Sequence, residues 1–155
     1  MILALLLACA PKVAPPVAAA EHVDRFALAG HGHAFGGLAI VVHDGPDVTL
    51  EALSPAGPAI FTVVVAGGNT AIDAADPGMA AMLGRLPFAR DLTALYLADC
   101  AQRCAVGAWT VRPTRDGWRV AGEGGPARVT RGDGTLVLRD RLRGYTLTVW
   151  PGEPR

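Results

Sequence analysis

The chain has almost no lysine: of its 14 basic residues only Lys12 is not arginine. With abundant alanine and glycine beside it, that skew reads as the mark of a GC-rich genome rather than of a function. Charge of one sign is also missing, because 14 acidic residues balance the 14 basic ones. The electrostatic footprint of a nucleic-acid-binding protein is therefore lacking. No Gly-x-Ser-x-Gly surrounds Ser54 and no Ser-His-Asp order is evident, which removes the nucleophile-elbow hydrolases. No repeat recurs along the chain, so solenoid architectures are excluded. Cysteine is scarce, with Cys9, Cys100 and Cys104 only.

Seven apolar residues, Ile2 to Ala8, stand between Met1 and Cys9. They are far fewer than the ~20 needed to span a bilayer, and their number suits the apolar core of a secretory signal. Leu6-Leu7-Ala8-Cys9 resembles the lipobox of bacterial lipoproteins. That resemblance implies cleavage before Cys9, a diacylglycerol on its thiol, and acylation (with palmitate, for instance) of the new amine. No basic residue precedes the apolar run, although export signals normally carry one; a start codon lying further upstream is the expected explanation. A buried N-terminal helix is the competing reading, and Pro11, Pro15 and Pro16 would break it. Residues 1–8 are thus expected to be a signal peptide. Residues 9–20 are expected to be a lipidated cysteine with an Ala/Pro tether, extended at about 3.1 Å per residue. Residues 21–155 form one domain, long enough to bury a sizeable core. Ala10 follows the cysteine where an aspartate would mark inner-membrane retention, so the resemblance implies the periplasmic face of the outer membrane.

Dense turn signals divide the domain into short strands. Phe26–Phe35 and Leu38–His43 flank Gly36-Gly37, which reads as a hairpin. Val48–Leu53, Ala59–Ala66 and Thr70–Ala75 follow through short links, which favour antiparallel pairing. Ile60 to Val65 is apolar on both alternating faces, and a half-exposed strand should be polar on one, so both faces are expected to be covered. Asp76-Pro77 supplies a cap and a first-turn proline for a helix. Met79, Met82, Leu83 and Leu86 then make one apolar stripe at helical spacing. After Pro87 a second helix is expected from Ala89 to about Cys104, with Leu92, Leu95 and Tyr96 inward and Asp91, Asp99 and Arg103 outward; Gly107 closes it. Trp109–Thr114, Trp118–Ala121, Ala127–Arg131, Thr135–Arg139 and Tyr145–Trp150 complete ten strands, with Asp116-Gly117 and Asp133-Gly134 as hairpin turns. The expected fold is mainly β, an antiparallel, strongly curved open barrel closed by two helices.

This layout resembles the LolA/LolB lipoprotein-localisation superfamily over nearly all of residues 21–150. Val48-Thr49-Leu50-Glu51-Ala52-Leu53-Ser54-Pro55-Ala56-Gly57 is similar to the family's strand and Pro-apolar-Gly turn. Asp76 through Leu97, with Gly84, Leu86 and Pro87, is similar to its helical lid. Arg115-Asp116-Gly117-Trp118-Arg119-Val120 is similar to the strand behind that lid. The resemblance implies a half-barrel whose apolar cavity takes the acyl chain of a lipoprotein or of another lipid. Ile60, Val64, Met79, Met82, Leu83, Leu86, Leu92, Leu95 and Tyr96 would line it. In LolB the turn carries a protruding leucine that serves lipoprotein delivery; Pro55-Ala56-Gly57 offers only the small Ala56, and the segments between strands are shorter here. The resemblance therefore supports a fold and a cavity more than a transfer activity, and a structural or assembly lipoprotein on the same scaffold is the alternative.

Other candidates have plainer readings. Cys100 and Cys104, four apart on one helical face, would be either a disulfide in an oxidising compartment or two packed thiols; a metal site lacks further ligands nearby. His31 and His33 would share a strand face, with His43 as the nearest third ligand, but polar-face histidines are the commoner case. Asp73 and Asp76 are explained by the helix start. The Met/Leu stripe could equally fill a core, and Trp109, Trp118 and Trp150 suit core or rim anchors. Arg139, Arg141 and Arg143 read as a solvated face, or as contacts for anionic lipid heads. No enzyme, metal or cofactor is expected.

Overall fold

The computed structural model describes residues 12–13, 18–98 and 100–153. Cys9, the signal segment, most of the tether and Asp99 lie outside the described residues. The strands are β1 (Lys12–Val13), β2 (Ala20–Gly30), β3 (His33–Asp44), β4 (Asp47–Leu53), β5 (Ala59–Ala66), β6 (Asn69–Ala74), β7 (Cys104–Val106), β8 (Trp109–Thr114), β9 (Gly117–Gly122), β10 (Ala127–Gly132), β11 (Thr135–Asp140) and β12 (Tyr145–Trp150). Helices α1 (Pro77–Leu83) and α2 (Phe88–Leu92) and a π-helical turn (Thr93–Leu97) lie between β6 and β7. All twelve strands form one sheet in the order β1-β7-β8-β9-β10-β11-β12-β2-β3-β4-β5-β6. Every pairing is antiparallel except β1 with β7. The sheet curls into an open half-barrel edged by β1 and β6, and the helical segment runs from the β6 edge to β7, the strand next to the other edge.

Strands alternate inward and outward with period two. Phe26, Leu28, Ala39, Val41, Val48, Leu50, Phe61, Val63, Val111, Val120, Val129, Leu138 and Leu147 all face inward and are buried with Leu83, Leu92 and Leu95 of the helical segment. Asp76 caps α1, its carboxylate accepting from Met79 N at 2.7 Å. Trp118 donates its indole N–H to Ala94 O at 2.8 Å, pinning the π-turn to β9.

Five expectations are corrected. Among the described residues the strand count is twelve, not ten, because Lys12–Val13 of the expected tether pairs with β7, and Cys104–Val106 is itself a strand. The second helix stops at Leu97, seven residues early, since Cys104–Val106 pairs with β8 and Gly107, at φ +56°, turns that hairpin. The first hairpin turns at His31-Gly32, not at Gly36-Gly37. Both residues of that turn have positive φ, 52° and 78°, the two-residue turn that suits strand twist. Gly36 belongs to β3 because a Cβ there would stand 2.4 Å from Phe26 O. Asp91, expected outward, is fully buried. Finally, the outer face of β5 is only partly covered: Ile60 and Thr62 are half-buried and Val64 is 37% exposed, while Phe61, Val63 and Val65 face the core.

Candidate functional site

Antiparallel topology gathers the β2–β3 turn, the β4–β5 turn, the β9–β10 loop, the β11–β12 turn and the start of α1 at one end of the half-barrel. A cleft of about 710 Å³ opens there. Its walls are Leu28 and Phe35 from β2 and β3, Met82 and Leu86 from α1 and the turn after it, and Leu142 and Tyr145 at the β11–β12 turn. Phe26, Phe35 and Phe61 form an edge-to-face trio with ring centroids 6.1 to 6.3 Å apart beside it, a favoured aromatic geometry. The rim is polar and basic, with His31, His33, Arg85 and Arg143.

The residues expected to line a cavity divide into three groups. Met82 and Leu86 line the cleft. Leu83, Leu92 and Leu95 fill the core, and Ile60, Met79 and Tyr96 pack against it half-buried. Val64 is on the opposite, outer face of the sheet. Its parity was open because the run Ile60–Val65 is apolar at every position but one. Pro55, Ala56 and Gly57 do form the exposed β4–β5 turn at the cleft end, closed by Ser54 N–H to Pro58 O at 2.8 Å. Cys100 and Cys104 are disulfide-bonded, with Cα atoms 6.1 Å apart across a bend rather than a helical turn. His31 sits in a turn and His33 on β3, so the two do not share a strand face. Among the described residues no three His, Cys, Asp or Glu side chains converge as a metal-holding group.

Two buried polar clusters inside the half-barrel were not expected. At the cleft end, Arg90 of α2 is completely enclosed. Its Nε and Nη2 donate to Asp91 Oδ1 at 2.8 and 2.6 Å, and Nη2 also reaches Asp140 Oδ2 and Tyr145 Oη, each at 2.9 Å. Nη1 donates to the carbonyls of Gly124 at 2.9 Å and Gly125 at 3.2 Å. Tyr145 donates its hydroxyl to Asp91 Oδ2. Arg143 closes the cluster by donating its backbone N–H to Asp140 Oδ1 at 2.8 Å. Burial pushes the Asp91 carboxyl up, and the neighbouring Arg90 only partly offsets it. Burial acts the same way on Asp140, but the Arg143 N–H and the Arg90 guanidinium together hold it below the usual carboxylate range. Burial and the nearby Asp91 raise the Tyr145 phenol, which stays a proton donor. The cluster ties α2 to the β9–β10 loop and the β11–β12 turn, the two segments next to the cleft.

At the far end, His22 Nδ1 lies 2.6 Å from Asp24 Oδ1, which also accepts from Gly152 N–H at 2.9 Å. Tyr96 donates its hydroxyl to Asp24 Oδ2 at 2.7 Å. The His43 ring meets that of His22 at 5.7 Å, with its Nδ1 buried and without a partner. Burial, then the neighbouring His22, lowers the His43 pKa. A signal for both clusters exists in strand parity: His22, Asp24, Asp140 and Tyr145 share the inward parity of Phe26, Leu138 and Leu147, although the first three lay beyond the expected strands. Neither the models of known protein families nor the curated proteins contain a match to this chain.

Proposed function

We propose that this protein is a membrane-anchored lipoprotein with a LolA/LolB-like domain. Its half-barrel mouth takes one acyl chain of a lipoprotein or other lipid, and its work is in lipoprotein localisation at the outer membrane. The observation that carries the reading is the apolar cleft between α1 and the β2–β3 and β11–β12 turns. Its volume of about 710 Å³ falls among the ~300–1,000 Å³ of pockets that enclose small hydrophobic ligands. Met82 can adapt to chains of varied shape, since the thioether side chain is flexible. The basic and histidine rim suits the polar end of an amphiphile. The Leu6-Leu7-Ala8-Cys9 motif supplies the anchor.

A scaffold without ligand is the second reading. It is favoured by Leu83, Leu92 and Leu95, which fill the deep interior, and by the small Ala56 at the β4–β5 turn. Titration of the full chain carrying Cys9→Ser with a fluorescent fatty acid separates the two. Saturable binding, weakened by Met82→Asp, supports the cleft. A chain that binds no probe leaves the scaffold reading standing. Mass spectrometry of the membrane fraction should find a lipid-modified Cys9, and an intact unmodified chain in the cytoplasm would refute the anchor.

A further inference from the structure

The sequence is neutral as a whole but not along its length. Residues 18–98 hold three arginines against eight carboxylates, and residues 100–155 hold ten against five. The fold concentrates this second set. Arg112 of β8 pairs directly with Arg119 of β9, Arg119 with Arg128 of β10, and Arg128 with Arg139 of β11. Four arginines thus stand side by side across four neighbouring strands, on the outer face opposite the buried Val111, Val120, Val129 and Leu138. Arg103 and Arg141 join them along a groove of about 610 Å³. Like charges placed directly opposite one another destabilise a sheet, so folding alone gives no reason for this row. Among the described residues, the only ion pair to any of the six is Asp116 with Arg128, at 2.8 Å. No carboxylate of the described residues pairs with the other five.

We infer that this arginine row docks the domain on a bilayer rich in anionic phospholipid, its guanidinium groups meeting lipid phosphates. Arginine suits phosphate oxygens because its planar fork bonds two at once. The position of the row in the chain selects a membrane over other polyanions. β1 lies at the sheet edge beside β7 and β8, and Cys9 stands three residues before Lys12. Three residues span at most about 10 Å, so a lipid on Cys9 holds the bilayer beside the row. Exposed apolar side chains flank it, Val13 on β1 at 77% and Leu142 at the β11–β12 turn at 74%, as interfacial anchors require. Leu142 also lines the mouth cleft, so docking by this face sets the cleft beside the lipid surface. The choice of partner rests on the lipid-anchored reading, but the docking itself does not need the anchor.

The test therefore uses the full chain with Cys9→Ser, sedimented with vesicles of phosphatidylcholine alone or with phosphatidylglycerol added. The expected result is binding to the anionic vesicles only, lost as salt rises. Replacing Arg112, Arg119 and Arg139 together by alanine should weaken it about a hundredfold, at roughly fivefold per arginine. The same variant should melt no lower than the parent, because cross-strand repulsion is relieved. The corresponding lysine triple variant should retain most of the binding. Equal binding to both vesicles, anionic binding indifferent to the alanine triple variant, or tighter binding to duplex DNA at the same salt would each overturn the proposal. A fatty-acid titration of the alanine variant keeps the two readings apart, since probe binding should be unchanged by loss of the row.

Discussion

Replacing Arg90 by methionine is the sharpest test of how the helical segment is held over the sheet. The guanidinium is fully buried and satisfies Asp91, Asp140, Tyr145 and the Gly124 and Gly125 carbonyls at once. Methionine fills much of the volume but leaves Asp91 without a cation. Asp140 keeps only Arg143, at 3.1 Å. Breaking a buried pair from one side costs about 3–5 kcal/mol. That is a large share of the ~5–15 kcal/mol that stabilises a domain, and it corresponds to a fall in Tm of roughly 10–20 °C. Equilibrium urea unfolding gives the free-energy loss directly. Adding Asp91→Leu to Arg90→Met removes the stranded charge, so the double variant should recover much of the loss and show strong coupling in a double-mutant cycle. A loss under about 1 kcal/mol for Arg90→Met, the value of an exposed pair, would refute the view that this cluster fastens α2 to the β9–β10 and β11–β12 segments.

Other outcomes follow from single contacts. Burial and the neighbouring His22 hold the His43 pKa below the ordinary histidine value, so the unfolded chain takes the proton first; stability should hold above the ordinary histidine pKa of about 6.5 and fall as the pH drops below it. His43→Leu should flatten that fall in urea midpoints compared at neutral and mildly acidic pH. Gly36→Ala puts a Cβ 2.4 Å from Phe26 O, and should cost about 1–3 kcal/mol by the overpacking it forces, read as a lower Tm. Reducing the Cys100–Cys104 bond frees a short loop in the unfolded chain and should lower stability by about 2 kcal/mol in unfolding with and without dithiothreitol. Met82→Asp at the cleft wall should weaken fatty-acid probe binding about tenfold with little change in Tm, because Met82 is already 36% exposed.

The division of labour between sequence and tertiary structure is visible in particular elements. Period-two patterns and turn residues located most of the expected strands, because local sterics and turn chemistry act over a few residues, but Phe26–Phe35 ran across the turn between β2 and β3. The Asp76-Pro77 start and the Met/Leu stripe located α1 for the same reason. Cys104–Val106 read as helix, since nothing nearby shows that Val111 and Thr110 are waiting to pair with it. Gly36-Gly37 read as a turn, because a close approach by Phe26 O is a non-local fact. The parity of Ile60–Val65 was open in a run apolar on both sides, and only the curvature of the sheet decided that Val64 faces out. The cleft was half legible, as Met82 and Leu86, whereas Leu28, Phe35, Leu142 and Tyr145 reach it from two separate hairpins. No local pattern singles out Arg90. Apart from Asp91, its partners lie 34 to 55 residues away, and the four-arginine row likewise exists only because strand register sets distant residues side by side. By itself the sequence determined what each short segment prefers to be. Which face is buried, which charges meet, and where a cleft opens were decided by contacts between segments that no local pattern encodes.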